Sequence, residues 1–528
     1  MTARMPRFIA LCCALLLCGC TSLPGRDYPR PPSSAVLTAP NPALLQTAAP
    51  AHGANSGFRM YSLGVDGLLL RLELIESAHS SLDLQYYVFH GDESGKMITE
   101  ALARAAARGV RVRVLVDDGE TIRGDEQLYP LAGMPHVEVR VFNPWRYRGH
   151  NALVRDVEYL FSHRRLDFRM HNKLFIADRA VALVGGRNIG DEYFQVDPNW
   201  QFADDDVLSA GPAVQELSTI FEQYWQSELA IPVQALLPAK DTYAAAAQAL
   251  AQRVTVANKA QSADVNYQAK LAANEPLASV LAGRTPLDWA QAEVAADSPY
   301  KGKRLAEGAG ISGLLFAPVA DAIRATRSEL TMVSPYLVPS ADELKLLEDL
   351  RATQRSVRIL TSSLEAESSH AAQAGYMKYR VPLLESGVQL YEIRARPESR
   401  RGTGQSEQLS RYGHYSLHAK LLVFDRSGLY VGSMNYDQRS RRLNTENGVI
   451  IHSGELASEA AHRFDLMTQP QNAYAVRLEE QKPGDGPRLT WNTVQADQPL
   501  ILYHERSRNA WQDFEVHFLE LFPIDDEL

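Results

Sequence analysis

The chain has 528 residues, of which 45% are hydrophobic, and its 54 basic and 63 acidic side chains leave a net charge of −9. A chain of this length forms two or more domains with a sizeable buried core. The acidic balance disfavours a general nucleic-acid-binding protein, which needs a basic surface to hold phosphates.

Residues 1–19 are typical of a lipoprotein signal peptide. Arg4 and Arg7 precede an apolar run over residues 8–17 that is too short to span a bilayer. The run ends in Leu17-Cys18-Gly19-Cys20, which is similar to a bacterial lipobox, so we expect processing before Cys20 and acylation of its thiol. A plain secretory peptide cut elsewhere is the alternative. All four cysteines lie within residues 1–20 and the predicted mature chain keeps only Cys20, so it forms no internal disulfide.

The residues after the lipobox predict where the protein lies. Thr21 and Ser22, rather than Asp, follow the cysteine, and lipoprotein sorting rules then imply the outer membrane of a Gram-negative cell, with the body facing the periplasm. Residues 20–56 are rich in Pro, Ala and Ser and lack helical or strand periodicity. This composition predicts a semi-extended tether.

Residues 57–232 form the first predicted structural unit. Periodicity predicts helices over 67–78, 96–108 and 215–225 and strands over 82–89, 110–116 and 137–142. Residues 309–470 repeat the order, with helices over 319–326 and 343–352 and strands over 330–335, 357–361 and 388–391. Alternation of this kind indicates an α/β fold in which mainly parallel sheets are flanked by helices.

Two further segments lie outside these units. Residues 233–308 include an alanine-rich stretch over 243–260, which predicts a docked helical insert, with a mobile lid as the alternative. In the C-terminal extension, residues 471–528, five apolar side chains have helical spacing: Trp511, Phe514, Phe518, Leu521 and Phe522. Acidic neighbours on that helix disfavour a position on a membrane surface, so we expect it to pack against the body.

The motif H-x-K-x4-D occurs twice. Its residues are His171, Lys173 and Asp178 in the first copy and His418, Lys420 and Asp425 in the second. Each copy is followed by a glycine turn that ends in asparagine, at Asn188 and Asn435 respectively. The separation from His to Asn is 17 residues in both copies, and the copies lie 247 residues apart. One long duplication predicts two fused domains rather than a solenoid.

The two copies together supply the chemistry for cutting a phosphodiester. Residues i and i+2 of a strand point to the same face, so each copy presents an imidazole and an ammonium group to one space. The glycine turn brings the asparagine back beside the lysine, and both groups then bind phosphoryl oxygens. One histidine attacks phosphorus while the other protonates the leaving oxygen. Because the lysines neutralise the phosphate, no metal or cofactor is needed; a core histidine beside a surface lysine is the alternative for a single copy.

These residues resemble the phospholipase D superfamily, in which two halves meet at a pseudo-twofold interface and share one active site. Further segments are similar to bacterial cardiolipin synthases, most of all the C type: Val110–Asp118, Phe142–Pro144, Met170–Lys173, Gly185–Asp191 and Leu443–Glu446. The resemblance covers residues 57–528. It implies His171 as the nucleophile that forms a phosphatidyl-histidine and His418 as the acid.

The resemblance also implies roles for the acidic residues. In this family the Asp of the motif is structural, which applies here to Asp178 and Asp425. The carboxylates that orient the two histidines come later in the chain, and the matching positions are Glu446 and Asp204, the latter chosen from Asp204–Asp206. Ser433 stands where the first copy has a glycine, so we expect a hydroxyl near the phosphate on one side only.

A basic segment precedes the first motif. It alternates arginine with aromatic side chains, which predicts a lip for anionic lipid headgroups; an ordinary solvated loop is the alternative. The arginines are Arg146, Arg148, Arg155, Arg164, Arg165 and Arg169, and the aromatic residues are Trp145, Tyr147, Tyr159 and Phe161.

The predicted activity is the synthesis of cardiolipin from phosphatidylglycerol and a second phospholipid, either phosphatidylethanolamine or phosphatidylglycerol. The expected partners are phospholipids and a membrane surface, without nucleic acid, and the oligomeric state stays open. Hydrolysis to phosphatidic acid is the first alternative, because water can replace the acceptor alcohol. The acidic charge disfavours a secreted nuclease, and the intact motifs disfavour a lipid-binding pseudoenzyme.

Overall fold

The computed structural model describes residues 23–30, 40–47, 53–119, 125–149, 151–236, 240–256, 275–308, 310, 314–367, 369–396, 414–479 and 488–521. The predicted signal peptide and Cys20 lie outside the described residues, as do Phe522 and the end of the alanine-rich stretch. The described residues form strands and helices that follow one another in the same order in two halves of the chain.

The strands are β1 Ser56–Tyr61, β2 Ser81–Tyr86, β3 Arg111–Asp117, β4 Val137–Phe142, β5 Leu174–Ala177, β6 Val181–Gly185, β7 Trp200–Ala203, β8 Asp206–Ala210, β9 Ala230–Pro232, β10 Asp288–Ala296, β11 Glu329–Val333, β12 Leu337–Val338, β13 Ser356–Ser362, β14 Gln389–Ile393, β15 His414–Leu417, β16 Leu421–Phe424, β17 Gly428–Gly432, β18 Tyr436–Asp437, β19 Asn447–His452, β20 Ala473–Glu479, β21 Arg488–Gln495 and β22 Gln498–Leu502.

The helices are α1 Pro42–Thr47, α2 Gly64–Ser77, α3 Glu93–Ala107, α4 Asp125–Ala132, α5 Ala152–Leu166, α6 Pro212–Trp225, α7 Lys240–Val256, α8 Pro276–Leu281, α9 Lys301–Ala306, α10 Phe316–Ala325, α11 Ala341–Ala352, α12 His370–Met377, α13 Arg380–Glu385, α14 Gln438–Arg442, α15 Gly454–Met467 and α16 Ala510–Glu520. The helices and strands expected in the two repeated units are present, with ends shifted by a few residues.

One mixed sheet of 18 strands runs through both halves. From one edge the order is β9-β4-β3-β2-β5-β6-β8-β1-β10-β19-β17-β16-β11-β13-β14-β20-β21-β22. The predicted α/β fold with two repeats is confirmed, but the sheet is mixed rather than mainly parallel. Only β2–β3–β4 and β11–β13–β14 pair in parallel among its described strands, because the motif strands β5 and β16 return as antiparallel hairpins with β6 and β17.

Strand β10 joins the two halves of this sheet. It pairs antiparallel with β1 on one side and with β19 on the other. The segment predicted as a helical insert is therefore a strand over residues 288–296. Its polar residues interrupt the apolar alternation from which a strand is predicted. The alanine-rich part does form a helix, α7, which lies against α3 and α4 and buries Leu250. This packing matches the docked insert rather than the mobile lid.

The core between the halves is shared. Phe58 and Val207 of the first half pack in one cluster with Val431 and Val449 of the second, and all of them are buried. Separate apolar clusters lie beneath the helices of each half. The halves therefore meet across both sheet hydrogen bonds and apolar contacts, which fixes the side chains at their interface.

Parts of the predicted tether pack against the first half. The Arg26 guanidinium pairs with the Glu228 carboxylate at 3.0 Å, and Arg30 donates to the carbonyl oxygen of Ser227 at 2.9 Å. Helix α1 buries Leu44. The expectation of a segment without regular structure is wrong for residues 42–47, where tertiary contacts hold a short helix that has weak periodicity of its own.

Helix α16 touches the body through one narrow face. Gln512 and Val516 are buried, and the Gln512 amide donates to the carbonyl oxygen of Leu364 at 2.7 Å. The apolar side chains that were expected to pack are exposed, by 68, 58, 49 and 78% for Trp511, Phe514, Phe518 and Leu521. The helix therefore packs against the body as predicted, but through another face than its apolar stripe, because helical spacing does not say which face meets the body. Among the described helices, none has both the length and the apolar character to cross a membrane.

The aspartates of the two motifs occupy equivalent tight hairpins. Asp178 and Arg179 have φ angles of 53° and 55°, and Asp425 and Arg426 have 53° and 54°. Two consecutive residues with positive φ form the turn that matches the twist of a hairpin. The Asp178 carboxylate accepts the backbone N–H groups of Asn41, His79, Ser80 and Ser81 at 2.7–3.0 Å. Asp425 receives those of Arg327, Ser328 and Glu329 at 2.7–3.0 Å.

Replacing Asp178 should lower stability rather than turnover. We expect Asp178→Asn to lower the free energy of unfolding by about 1–3 kcal/mol, because an amide forms weaker hydrogen bonds to these backbone N–H groups than a carboxylate does. Asn still tolerates the positive φ, so the hairpin is kept. Denaturant titration measures the loss, with the exposed Asp321→Asn as control. Loss of turnover at unchanged stability would contradict a structural role.

Candidate active site

The two motif histidines are each held by a carboxylate from the other half of the chain. His171 Nδ1 lies 2.9 and 3.0 Å from the two carboxylate oxygens of Glu446. His418 Nδ1 lies 2.6 Å from Asp204 Oδ2. Both carboxylates are fully buried. The arrangement makes one site from two half-sites, related by a pseudo-twofold axis.

Backbone hydrogen bonds also hold each histidine against the opposite half of the chain. The His171 N–H donates to the carbonyl oxygen of Thr445 at 2.9 Å, and the His418 N–H donates to that of Ala203 at 2.8 Å. Strands β7 and β15 pair in parallel just before Asp204 and His418. Each histidine is thus tied, through backbone and ring, to two consecutive residues of the opposite half.

A carboxylate on Nδ1 determines which ring nitrogen faces the reaction. The hydrogen-bond network assigns the proton to Nδ1, which donates to the carboxylate, so Nε2 keeps its lone pair. A neutral imidazole in this tautomer can attack phosphorus through Nε2, and after protonation there it can act as an acid. The carboxylate stabilises the imidazolium that either role produces.

Burial dominates the acid–base properties of the four groups. It lowers the pKa of His171 and of His418 well below the usual value, and the nearby Lys173 and Lys420 lower both further. Burial also raises the pKa of Glu446 to about 7 and that of Asp204 to about 6, against the opposing effect of the lysines. Because the pKa values of both histidines are lowered in this way, both rings are neutral near pH 7 without substrate.

The two lysines are buried beside their histidines. Lys173 Nζ donates to the carbonyl oxygen of His171 at 2.6 Å, and Lys420 Nζ lies 3.0 Å from His418 Nδ1. Burial lowers the pKa of Lys173 well below its usual range and that of Lys420 to about 8, while Asp204 and Glu446 raise both. The charge of the two lysines is therefore only partly balanced by the nearby carboxylates, and a phosphate anion would supply the missing negative charge.

The asparagines take up different positions in the two halves. Asn188 Oδ1 accepts the backbone N–H of Val88 at 3.1 Å, and its Nδ2 donates to the Tyr193 hydroxyl at 2.9 Å. The Asn188 amide therefore supports the loop around the site and keeps one N–H for a ligand. Asn435 Oδ1 is buried without a hydrogen-bond partner among the described residues.

Ser433 differs from its expected role. Its hydroxyl donates to Glu446 and accepts the Asn447 N–H at 3.0 Å, so it supports the orienting carboxylate rather than a phosphate. In the first half, a Cβ on Gly186 would stand 2.1 Å from Asp204 Oδ1, which excludes any side chain there. Ser433 therefore lies beside the longer side chain of Glu446, and Gly186 lies beside the shorter side chain of Asp204.

Other residues of the site could not be recognised from the sequence. The rings of Tyr87 and Tyr193 meet His171 and His418 edge-on, with centroids 5.1 and 5.0 Å apart. Asp297, from the segment between the halves, accepts the Glu446 N–H at 3.0 Å and pairs with Lys301 at 2.8 Å. These contacts depend on the fold, because neither tyrosine belongs to the motif and the intervening segment lacks any recognisable pattern.

The acidic residues near the site, Asp117 and Asp205, bind groups of the protein itself. Asp117 accepts the Met170 N–H at 2.7 Å and pairs with Arg169 at 3.2 Å, while Asp205 pairs with Arg463. Across the described ranges, a single His and carboxylate group brings its ligand atoms within 4.8 Å, at His90, Asp92 and Glu192. It is partly exposed, and Asp92 already caps α3 through the Gly95 N–H.

The comparisons with known proteins agree with this geometry. The family model described as cardiolipin synthase, PLD-like domain, matches residues 72–225 and 319–468. Cardiolipin synthase C of Escherichia coli K12 is 33% identical over 478 residues, which cover 90% of this chain and 96% of the relative. The major cardiolipin synthase of Bacillus subtilis 168 is 26% identical over 424 residues, which cover 79% of this chain and 70% of the relative.

A solved structure supports the fold. Phosphatidylserine synthase of Haemophilus influenzae aligns with a TM-score of 0.56 at 12% identity, covering 92% of this chain and all of its own. The family model spans both copies of the motif, and the similarity to the Escherichia coli protein extends along nearly the whole chain. The chain therefore belongs to the phospholipase D-like cardiolipin synthase family and is a phosphatidyltransferase of the phospholipase D type.

Proposed function

We propose that the protein makes cardiolipin, with phosphatidylglycerol as acceptor and phosphatidylethanolamine or a second phosphatidylglycerol as phosphatidyl donor. The observation that carries the proposal is the crossed arrangement of the histidines, in which Glu446 binds His171 and Asp204 binds His418. Two imidazoles that are each held through Nδ1 suit a double displacement at phosphorus through Nε2. The names of the similar proteins support the lipid class.

The first step forms a covalent intermediate. His171 Nε2 attacks the phosphorus of the donor, and the bond from phosphorus to the headgroup oxygen breaks. His418, protonated at Nε2 when the phosphate anion is bound, gives its proton to that oxygen, and the headgroup alcohol leaves. Lys173 and Lys420 stabilise the negative charge on the remaining phosphoryl oxygens.

The second step transfers the phosphatidyl group. A glycerol hydroxyl of phosphatidylglycerol enters where the headgroup left and loses its proton to His418. Its oxygen attacks phosphorus, the bond to His171 breaks, and cardiolipin is released with both rings restored. Water in place of this hydroxyl gives phosphatidic acid, so exclusion of water from the buried site decides between transfer and hydrolysis.

Lipid mass spectrometry tests the product. The purified full-length protein is incubated in EDTA with phosphatidylglycerol vesicles, with and without phosphatidylethanolamine. We expect cardiolipin in EDTA, and dependence on phosphatidylethanolamine identifies that lipid as the donor. Phosphatidic acid alone indicates a hydrolase. The absence of any lipid product contradicts the proposal, and a nuclease assay is then the next experiment.

Substitution of either histidine should abolish turnover without unfolding the protein. We expect His171→Ala and His418→Ala each to lower the rate by on the order of 10³-fold or more, because His171 forms the covalent bond to phosphorus and His418 transfers the proton in both steps. His452→Ala, on the same strand β19 as Asn447 but exposed, is the matched control. Mass spectrometry of the His418→Ala variant after reaction with a donor that has a good leaving group should show a phosphatidyl adduct on His171; an adduct on another residue would overturn the assignment of the nucleophile.

The rate should fall in alkaline solution. Lysine is charged below its pKa, and the pKa of Lys420 is lowered to about 8 by burial, against the raising effect of Asp204, Glu446, Asp437 and Glu367. We therefore expect kcat/KM to decrease as pH rises through about 8, since the free enzyme loses a phosphate-binding charge.

The Lys420→Arg variant isolates this group. A guanidinium stays charged at such pH, so the alkaline decrease should move to higher pH even where the absolute rate is lower. Lys345→Arg, at an exposed lysine, should keep the wild-type profile. A wild-type profile that stays flat to pH 9.5, or a decrease that Lys420→Arg leaves in place, would contradict the role of Lys420.

A further inference from the structure

Helix α5 turns its polar face toward the protein and its apolar face toward solvent. Its buried residues are Glu158, Ser162 and Leu166, and the Glu158 carboxylate accepts the backbone N–H groups of Arg146 and Tyr147 at 2.8 Å each. The outward stripe is exposed by 72, 42, 46, 67 and 45% at Leu153, Val154, Val157, Leu160 and Phe161. These positions lie on one side of a helix. The basic segment predicted as a lip or a solvated loop is therefore largely a helix with an unpartnered apolar face.

Exposed apolar side chains are concentrated on this helix. Of the 13 large hydrophobic residues that are exposed in the described part of the chain, six belong to α5 and four to α16 and the residue after it. Such a concentration marks a binding surface. The two helices differ in charge, however, because α16 contains three acidic residues and neither lysine nor arginine, whereas α5 contains three arginines against two acidic residues, the exposed Asp156 and the buried Glu158.

The charge of α5 suits an anionic lipid surface. Its Glu158 is buried, and Arg164 is exposed and lies within the apolar stripe. A long basic side chain in that position can place its stem among acyl chains and its guanidinium at the phosphates. Helices that lie in a membrane interface combine an apolar face with arginine or lysine in this way.

A cavity beside α5 extends to Thr445, a backbone neighbour of His171. It has a volume of about 630 Å³ and lies between the end of the helix and the second half of the protein. Phe168, Leu229 and Leu443 give it apolar walls, and Arg164 and Lys303 contribute basic groups. Thr445, which accepts the His171 N–H at 2.9 Å, also lines it. An apolar cavity with basic groups matches a phospholipid, and it leads from α5 toward His171.

The docked N-terminal segment lies on the same side. Glu228 lines this cavity and binds Arg26 at 3.0 Å, and its carbonyl oxygen accepts from Arg30 at 3.0 Å. Cys20, the predicted lipidation position, precedes Arg26 by six residues, which an extended chain spans in about 20 Å. An acyl group on that cysteine would therefore enter a bilayer close to α5.

We propose that the outward face of α5 docks on the surface of an anionic phospholipid bilayer, with the stripe Leu153–Phe161 in the acyl boundary and Arg164 among the phosphates. The inference rests on the proposed function, because a phosphatidyltransferase draws its substrates from a bilayer. An apolar helix face also suits a protein partner, but the basic charge and the adjoining cavity favour lipid.

A fluorescent label tests the contact directly. The full chain with its four cysteines replaced by serine receives Val157→Cys, and a matched chain receives Ile501→Cys, at an equally exposed residue on β22. Each carries an environment-sensitive fluorophore and is mixed with phosphatidylglycerol vesicles. We expect the label at 157 to shift its emission to shorter wavelength and to be quenched by doxyl-labelled acyl chains, while the label at 501 stays in water. An unchanged label at 157 on vesicle-bound protein overturns the proposal.

Activity on two forms of substrate provides the second test. The double variant Leu153→Gln/Leu160→Gln should lower cardiolipin formation from vesicles about tenfold or more while leaving the rate on detergent-dispersed lipid unchanged. Trp511→Gln/Leu521→Gln removes two side chains of similar exposure from α16 and the residue after it, and should leave both rates unchanged.

Two outcomes overturn docking through α5: an equal loss on vesicles and on dispersed lipid, or an equal loss from changes in either helix. Failure of the wild-type protein to make cardiolipin from dispersed lipid instead contradicts the proposed function, and the label at Val157 still decides the docking.

Discussion

The exchange of carboxylates between the halves is the constraint on which the rest of the structure depends. Glu446 reaches His171 and Asp204 reaches His418, and both carboxylates are fully buried. Because water does not reach either carboxylate, the histidine of the opposite half has to supply a hydrogen-bond donor. Strand β10, the shared apolar core and the backbone bonds at both histidines keep the halves together, so the same contacts that assemble the site also stabilise the fold.

The buried cationic groups of the site lack negative charge around them, and a bound phosphate supplies it. The pKa values of both histidines and of Lys173 and Lys420 are lowered by burial, while those of Asp204 and Glu446 are raised. The charged forms of the histidines and lysines are therefore disfavoured until an anion binds beside them. A phosphodiester anion favours the charged lysines and permits protonation of one histidine, so substrate binding itself prepares the acid for the first step.

The sequence predicts the residues of this site better than their arrangement. The two motifs predicted that their histidines and lysines share a location, because side chains two apart on a strand point to the same face. The motif aspartates lie at the other end of the motif strands, in the hairpin turns. The resemblance also implied Asp204 and Glu446 as the orienting carboxylates, but not which histidine each one binds, because each crosses to the half of the protein that lies far away in the chain. Strand β10 and the contact of Asp297 with Glu446 were missed for the same reason: their residues are polar, and only the pairing with both halves makes them strand and scaffold. The outward faces of α5 and α16 show the limit of helical spacing, which identifies an apolar stripe but not its partner.

The position of α5 connects the buried chemistry with the lipid that it must reach. Only residues 167–170 separate the helix from His171, and they are held compactly by the bonds from the Asp167 N–H to the carbonyl oxygen of His163 at 2.8 Å and from the Phe168 N–H to that of Arg165 at 3.2 Å. The phosphate of a phospholipid lies at the level of the headgroups, just outside the acyl boundary. A helix seated at that boundary would hold the entrance of the cavity at the same level. A lipid could then bring its phosphate to His171 while its acyl chains stay in apolar surroundings, which avoids the cost of exposing them to water.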